Sequence, residues 1–284
     1  MTGFTKLHSL GNDFIVIDPG AAPEASRLGE FARRICDRHT GVGADGCLII
    51  AVRDAARGLA DFRIFNADGS EAEISGNGLR CASAYLFQTQ RVATKRVVFQ
   101  TSAGERTCDL LENQGSFYKI RNEMGVPRLH SRDIPFDDGR EHERIIDYPL
   151  SISRKVYPIT CVSVGNPHCD IFVDRFPARI EWNHLGREIE IHPFFPNRVN
   201  VEFIRVLNRN EIEVVFWERG VGETLSSGSG SCAAAVSAIL KGLTDRKVKV
   251  WTSMGEVVVE WEKDVVTQSG PAEVVFSGAY APPL

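Results

Sequence analysis

The chain has no Cys-x-x-C pair, and its seven cysteines (Cys36, Cys47, Cys81, Cys108, Cys161, Cys169 and Cys232) follow no regular spacing. That excludes a zinc ribbon or a redox-active dithiol, and the odd number argues against a disulfide framework. The seven histidines are scattered as well, so no metal is expected. Apolar runs such as Cys47-Leu48-Ile49-Ile50-Ala51-Val52 fall far short of the roughly 18 residues of a membrane helix and read as buried strands. No basic segment leading into an apolar one opens the chain. The expectation is therefore a cytoplasmic protein with reduced thiols and no membrane association. Basic charge is in deficit: 33 Lys and Arg against 37 Asp and Glu, net −4, leave no footprint for nucleic acid. Phosphate and nucleotide motifs are missing too. Neither Gly-rich turn carries the lysine of a phosphate loop, and Gly76-x-Gly78 is too short for a dinucleotide fingerprint. Ser227 is not in a nucleophile elbow, because Leu225 takes the first glycine position. No lysine-centred cofactor motif appears, and no cofactor is expected.

What is present is a repeated stretch. Glu223 to Ala235, E-T-L-S-S-G-S-G-S-C-A-A-A, echoes Glu71 to Ala84, E-A-E-I-S-G-N-G-L-R-C-A-S-A, 152 positions earlier. Each copy has a Glu, a Ser four residues on, Gly-x-Gly, and then Cys with small residues. Such a pattern predicts a tight turn feeding a helix N-terminus. There, unpaired N–H groups and the positive end of the dipole favour an anion. Gly11-Asn12 and Gly165-Asn166 repeat at 154 positions, nearly the same offset, so the chain reads as an internal duplication.

Between these landmarks, short strands are predicted at Phe4–Leu7, Phe14–Ile17, Cys47–Val52, Asp61–Phe65, Val97–Thr101, Arg106–Leu111 and Phe117–Arg121. The second half continues with Val156–Val164, Cys169–Val173, Asn200–Val206, Glu211–Phe216, Lys247–Trp251, Glu256–Glu260 and Val274–Ser277. Helices are predicted at Pro23–His39, after each Ser-Gly motif to about Arg91 and Gly242, and at Trp182–Ile191. Asn122–Lys155, charged and proline-punctuated, reads as a crossover with one or two edge strands. With 284 residues, 43% of them hydrophobic, the length fits two domains or one large one, with ample core. Strands outnumber helices at hairpin spacing, so the class is α+β. The expected architecture is two pseudo-symmetric halves, each a curved, barrel-like mixed sheet around a central helix, with the active site in the cleft between them. The halves are 1–122, joined by a last strand in 268–284, and 123–267. Two similar groups on opposite sides of a substrate suit a racemisation, in which one face loses a proton and the other receives one.

At this level of detail the chain resembles the diaminopimelate epimerase family over nearly its whole length. The matching motifs are L-G-N-D-F at 10–14, H-T-G-V-G-A-D-G at 39–46, F-N-A-D-G-S-E at 65–71 and S-G-N-G-L-R-C at 75–81. G-N-P-H at 165–168, P-N-R-V-N-V at 196–201 and W-E-R-G-V-G-E-T-L at 217–225 continue the series. The resemblance implies a cofactor-independent interconversion of LL- and meso-diaminopimelate by two acid/base groups. It implies that Asn12, Asn66, Asn166, Asn200, Glu218 and Arg219 bind the two amino-acid ends of a diamino-dicarboxylic substrate. Gly76, Asn77, Gly228 and Ser229 would hold the reacting carboxylate through backbone N–H groups, and His168 and Glu218 would tune the acid/base pair. A homodimer is left open.

The departure is central: the family has a catalytic Cys at each position held here by Ser75 and Ser227. Three readings follow. One is an epimerase with its thiols replaced, which binds substrate with little turnover. Another is a related isomerase or lyase using His168, Glu218, Glu71 or Glu223. The third is a non-catalytic amino-acid-binding relative.

Overall fold

The computed structural model describes residues 1–281; positions 282–284 of the expected closing segment lie outside the described residues. Two compact units divide the chain: Met1–Glu123 with the segment from Ser269 onward, and Met124–Gln268. The first unit contains β1 (Thr2–Ser9), β2 (Asn12–Ile17), α1 (Leu28–Cys36), β3 (Gly46–Asp54), β4 (Leu59–Asn66), β5 (Glu71–Ala72), α2 (Gly76–Gln88), β6 (Arg96–Thr101), β7 (Gly104–Gln114) and β8 (Phe117–Gly125). The second contains β9 (Ile145–Ile152), β10 (Lys155–Ser163), β11 (Pro167–Phe172), α3 (Arg179–Glu190), β12 (Asn200–Asn208), β13 (Glu211–Glu218), β14 (Gly222–Thr224), α4 (Gly228–Leu240), β15 (Lys247–Thr252) and β16 (Gly255–Glu262). A last strand, β17 (Val265–Tyr280), begins in the second unit and ends in the first. The fold is mixed α+β.

In the first unit the pairings close on themselves. β1–β2 is antiparallel, β2–β3 parallel, β3–β4 antiparallel and β4–β6 parallel. β6–β7 and β7–β8 are antiparallel, β8 meets β17, and β17 returns antiparallel to β1. Eight strands thus form a closed barrel, which leaves no unpaired edge among them. The second unit repeats the order: β10–β11 antiparallel, β11–β12 parallel, β12–β13 antiparallel, β13–β15 parallel and β15–β16 antiparallel.

The period-2 alternation of the strands explains how one sheet serves two helices. In β2 and β3, Phe14, Val16, Leu48 and Ile50 pack with Leu79, Ala82 and Leu86 of α2. Their neighbours Ile15, Ile17, Cys47 and Ile49 pack with Phe31, Ala32 and Ile35 of α1. The strands are therefore buried on both faces and read as continuous apolar runs. α2 is buried from Gly76 to Leu86, which is why its sequence is small and apolar all round rather than striped.

Several boundaries differ from the sequence-based expectation. The helical segment 23–39 is shorter: a 3-10 turn at Ala25–Arg27 precedes α1. The crossover 122–155 contains β9 as its one full strand and the end of β8. The last strand starts at Val265 rather than Val274. Gly270-Pro271 resembles turn punctuation, but the strand tolerates it: Pro271 has no N–H to donate, and its carbonyl accepts from Ser9 Oγ at 2.7 Å.

Candidate active site

The sequence repeat becomes two serine-capped helix ends. Ser75 has extended backbone geometry, and its Oγ accepts from the Gly78 N–H at 3.0 Å. Ser227 does the same with Gly230 at 3.2 Å. A helix leaves its first N–H groups without intrahelical partners, so the N–H groups of Gly76-Asn77 and of Gly228-Ser229 are the ones offered to an anion. Ser227 is buried, whereas Ser75 is half-buried.

In the first unit, Gly11 at φ 80° makes the turn that presents Asn12 at the start of β2. Asn12 Oδ1 accepts from Asn77 Nδ2 at 3.1 Å, and Asn12 Nδ2 donates to Asp45 Oδ2 at 2.8 Å. Asn77 is in turn held by Arg80, whose guanidinium is fully buried and donates to Asn77, to Ser9 Oγ at 3.1 Å and to Asn122 Oδ1 at 3.1 Å. Asn66, at the end of β4, is exposed and donates to Ser70 Oγ at 2.9 Å. Beneath Asn12, Asp13 takes a bidentate pair from Arg38 at 3.1 and 2.8 Å and an ion pair from Lys6 at 2.9 Å. Burial works to raise the Asp13 pKa, but these cations and the Asp45 N–H outweigh it and hold it at about 2.

In the second unit, Gly165 at φ 108° makes the corresponding turn before Asn166. Asn166 Nδ2 donates to Ser229 Oγ at 3.3 Å, the counterpart of the Asn12–Asn77 contact. Ser227 Oγ donates to Glu218 Oε2 at 3.0 Å, so one carboxylate touches one cap hydroxyl directly. His168 is fully buried; its Nε2 lies 2.9 Å from Asn166 Oδ1 and its Nδ1 2.8 Å from Glu202 Oε1. Burial drives the His168 pKa down to about 4 against the opposing pull of Asp170 and Glu218, leaving the ring neutral. Asn200 is a clamp: its Nδ2 donates to the Pro167 carbonyl at 2.9 Å and its Oδ1 accepts from the Arg219 N–H at 2.9 Å. The exposed Arg219 side chain donates to the Asn197 carbonyl at 3.1 Å.

Ser75, Gly76, Asn77 and Asn12 thus gather at the start of α2, with Asn66 in a separate turn at the end of β4. Ser227, Gly228, Ser229, Glu218, Asn166 and His168 gather around the start of α4. The glutamates of the repeat go elsewhere: Glu71 forms a bidentate pair with Arg63 at 2.7 and 2.9 Å. Glu223 accepts from Arg179 and Asn183, both at 2.8 Å. The Arg63 bonds hold Glu71 below its ordinary pKa, and the Glu223 partners outweigh burial to the same effect, so both are ordinary paired carboxylates. All seven cysteines are buried. Burial pushes the Cys81 thiol up to about 12, which disqualifies it as a substitute nucleophile or base. Among the described residues no group of three His, Cys, Asp or Glu side chains is arranged to hold a metal. Nor is any helix among them long and apolar enough to cross a membrane.

Motif reading missed Arg80, Glu202 and Asp170. Arg80 had a detectable signal, a charged residue one turn beyond Asn77 in an otherwise apolar helix. Glu202 and Asp170 looked like the polar face of half-exposed strands.

The family model described as diaminopimelate epimerase matches residues 4–130 and 160–275. A diaminopimelate epimerase from Pelotomaculum thermopropionicum is 45% identical over 281 residues, covering 98% of each chain. One from Moorella thermoacetica is 39% identical over 279 residues, again with 98% of each chain covered. Among solved structures, a hydroxyproline epimerase from Agrobacterium vitis shares the fold, with a TM-score of 0.69 at 15% identity, covering 98% of this chain and 91% of the other. On the length and level of these matches, together with the paired capped helices, the chain belongs to the diaminopimelate epimerase family.

Proposed function

We propose that this chain is a cofactor-independent amino-acid epimerase-type protein whose substrate class is the diamino-dicarboxylic acids, diaminopimelate first among them. The observation that carries the reading is the Ser227 hydroxyl on a helix N-terminus, 3.0 Å from the Glu218 carboxylate, repeated in part by Ser75 at α2. An epimerisation needs an acid/base group on each face of one carbon, with electrostatic support for the developing enediolate. Two capped helix ends, one in each pseudo-symmetric half, supply that support. Asn12, Asn66, Asn166, Asn200, Glu218 and Arg219 supply polar groups for the amino-acid ends, and Gly76, Asn77, Gly228 and Ser229 backbone N–H donors for the carboxylate.

The hydroxyls set the rate. A thiol ionises near 8.5, and an aliphatic hydroxyl is many units more basic. A gap of only about four units adds roughly 5.5 kcal/mol to ionisation. A helix terminus returns at most about 2 kcal/mol. The protein therefore binds substrate and turns it over slowly, with Glu218 as the one carboxylate among the described residues in contact with a cap hydroxyl. The test is α-hydrogen exchange of diaminopimelate in heavy water, for the chain as written and for Ser75→Cys with Ser227→Cys. The double variant should exchange faster by orders of magnitude. Equal rates would refute the thiol argument and move the search for the base to other groups.

A further inference from the structure

β11 and β12 place three ionisable side chains on the face that meets α4. His168, Asp170 and Glu202 are all fully buried, and Asp170 and Glu202 are direct cross-strand neighbours. The same register positions in the first unit hold Phe14, Val16 and Leu48, packed against α2. Apolar residues thus suffice for this packing, so the polar set in the second unit needs another reason. Two like charges directly opposite on adjacent strands and out of water cannot both persist.

With the imidazole neutral, as its complete burial favours, the hydrogen bonds admit one complete assignment. Ser237 Oγ donates to Asp170 Oδ2 at 2.5 Å. Asp170 Oδ1 and Glu202 Oε2 are both buried without a donor when both groups are carboxylates. A proton on Asp170 Oδ1, donated to Glu202 Oε2, satisfies both atoms. A second proton on Glu202 Oε1 then faces His168 Nδ1 at 2.8 Å. The imidazole must in turn carry its own proton on Nε2, which points at Asn166 Oδ1, 2.9 Å away. Asn166 Nδ2 continues to Ser229 Oγ at the start of α4. Every donor in this series has one acceptor, and the series carries no net charge.

We infer that Asp170 and Glu202 are positioning residues, both protonated, which fix His168 as its neutral Nε2–H tautomer and thereby lock the Asn166 carboxamide toward the α4 terminus. Burial raises both carboxyl pKa values well above the ordinary range; Glu202 raises Asp170 further and Glu218 raises Glu202 against the opposing Asp170 hydrogen bond, in agreement with this state. The groups acting on the ring are Asp170, Glu202, Glu218 and Arg219, and none of them forces it to become a cation. Gly230 completes the device: a Cβ there would lie 2.6 Å from Glu202 Oε1, so only glycine lets α4 approach the carboxyl this closely. The consequence for binding rests on the epimerase-type reading above; the tautomer does not.

The experiment is long-range proton–nitrogen NMR of the histidine rings in the full ¹⁵N-labelled chain, with the His168→Phe variant assigning the signal. The expected result is an unprotonated Nδ1 and a protonated Nε2 from about pH 8 down to about pH 5, where a free imidazole would have charged. An Nδ1–H tautomer, or an imidazolium within that range, would overturn the assignment. Glu202→Gln keeps an N–H for His168 Nδ1 and an oxygen for Asp170, so it should preserve the tautomer. Glu202→Leu, which installs the residue found at the matching position of the first unit, should give a mixture. In calorimetric titration with diaminopimelate, Glu202→Gln should bind within about twofold of the parent. Glu202→Leu should bind about five- to tenfold more weakly, the worth of one oriented hydrogen bond. Equal weakening in both variants would refute the positioning role. A parent that binds no diaminopimelate but shows the Nε2–H tautomer would refute the substrate reading alone.

Discussion

Replacing Gly230 by alanine separates helix propensity from packing. Alanine is intrinsically better than glycine in a helix by about 1 kcal/mol. Gly230 lies in the first turn of α4, and a Cβ built there would meet Glu202 Oε1 at 2.6 Å and Phe216 Cδ1 at 2.8 Å. Both neighbours are fully buried and cannot swing away. Overpacking of this kind costs roughly 1–3 kcal/mol. Displacing Glu202 from His168 adds the loss of a buried hydrogen bond, about 1 kcal/mol. The net expectation is a destabilisation of about 1–3 kcal/mol after the propensity gain. Gly78 is the control in the same turn of α2. Its Cβ would meet Ser75 Cβ at 3.1 Å and Phe62 Cζ at 3.3 Å, contacts that small shifts relieve. Gly78→Ala should therefore fall within about 1 kcal/mol of the parent. Urea denaturation of both variants, read as the midpoint at unchanged slope, decides the matter. If Gly230→Ala proves as stable as the parent, the close approach of α4 to Glu202 is not a constraint and the packing argument fails.

Two further outcomes follow from the caps and from Asp13. Ser75→Ala and Ser227→Ala each remove a cap bond worth about 1 kcal/mol. Ser227→Ala should lose more, because it also deprives Glu218 Oε2 of its donor, and equal losses in thermal melts would contradict that contact. Asp13 has a folded-state pKa of about 2, below its ordinary 3.8. Its contribution, roughly 2 kcal/mol, is therefore fully present above about pH 4 and is lost as the pH falls toward 2. Asp13→Asn should flatten this part of the stability–pH curve, and an unchanged acid limb would show that Lys6 and Arg38 do not stabilise the carboxylate.

Local chemistry determined a large part of this protein. Ser-Gly-x-Gly before a run of small residues predicted a capped helix start, because both the glycines and the cap act within four residues of chain, and both copies form one. The repeat at nearly constant offset implied two copies of one topology, and both units do run antiparallel, parallel, antiparallel, parallel, antiparallel through matching strands. Tertiary structure alone decided which polar residues are structural. Glu71 and Glu223 stand at matching places in the repeat and look catalytic in one dimension, yet cross-strand or helix-borne arginines absorb both. Asp170 and Glu202 look like solvent-facing positions of alternating strands, yet the parallel pairing of β11 with β12 and the cover of α4 bring them together out of water. The return of a last strand to the first half was legible, but its start at Val265 was hidden, because Gly270-Pro271 signals a break that only a partner strand can override. Alternation states which residues share a face; it does not state whether that face meets water or a helix. That choice belongs to long-range packing, and here it converts two carboxylates into neutral hydrogen-bonding groups.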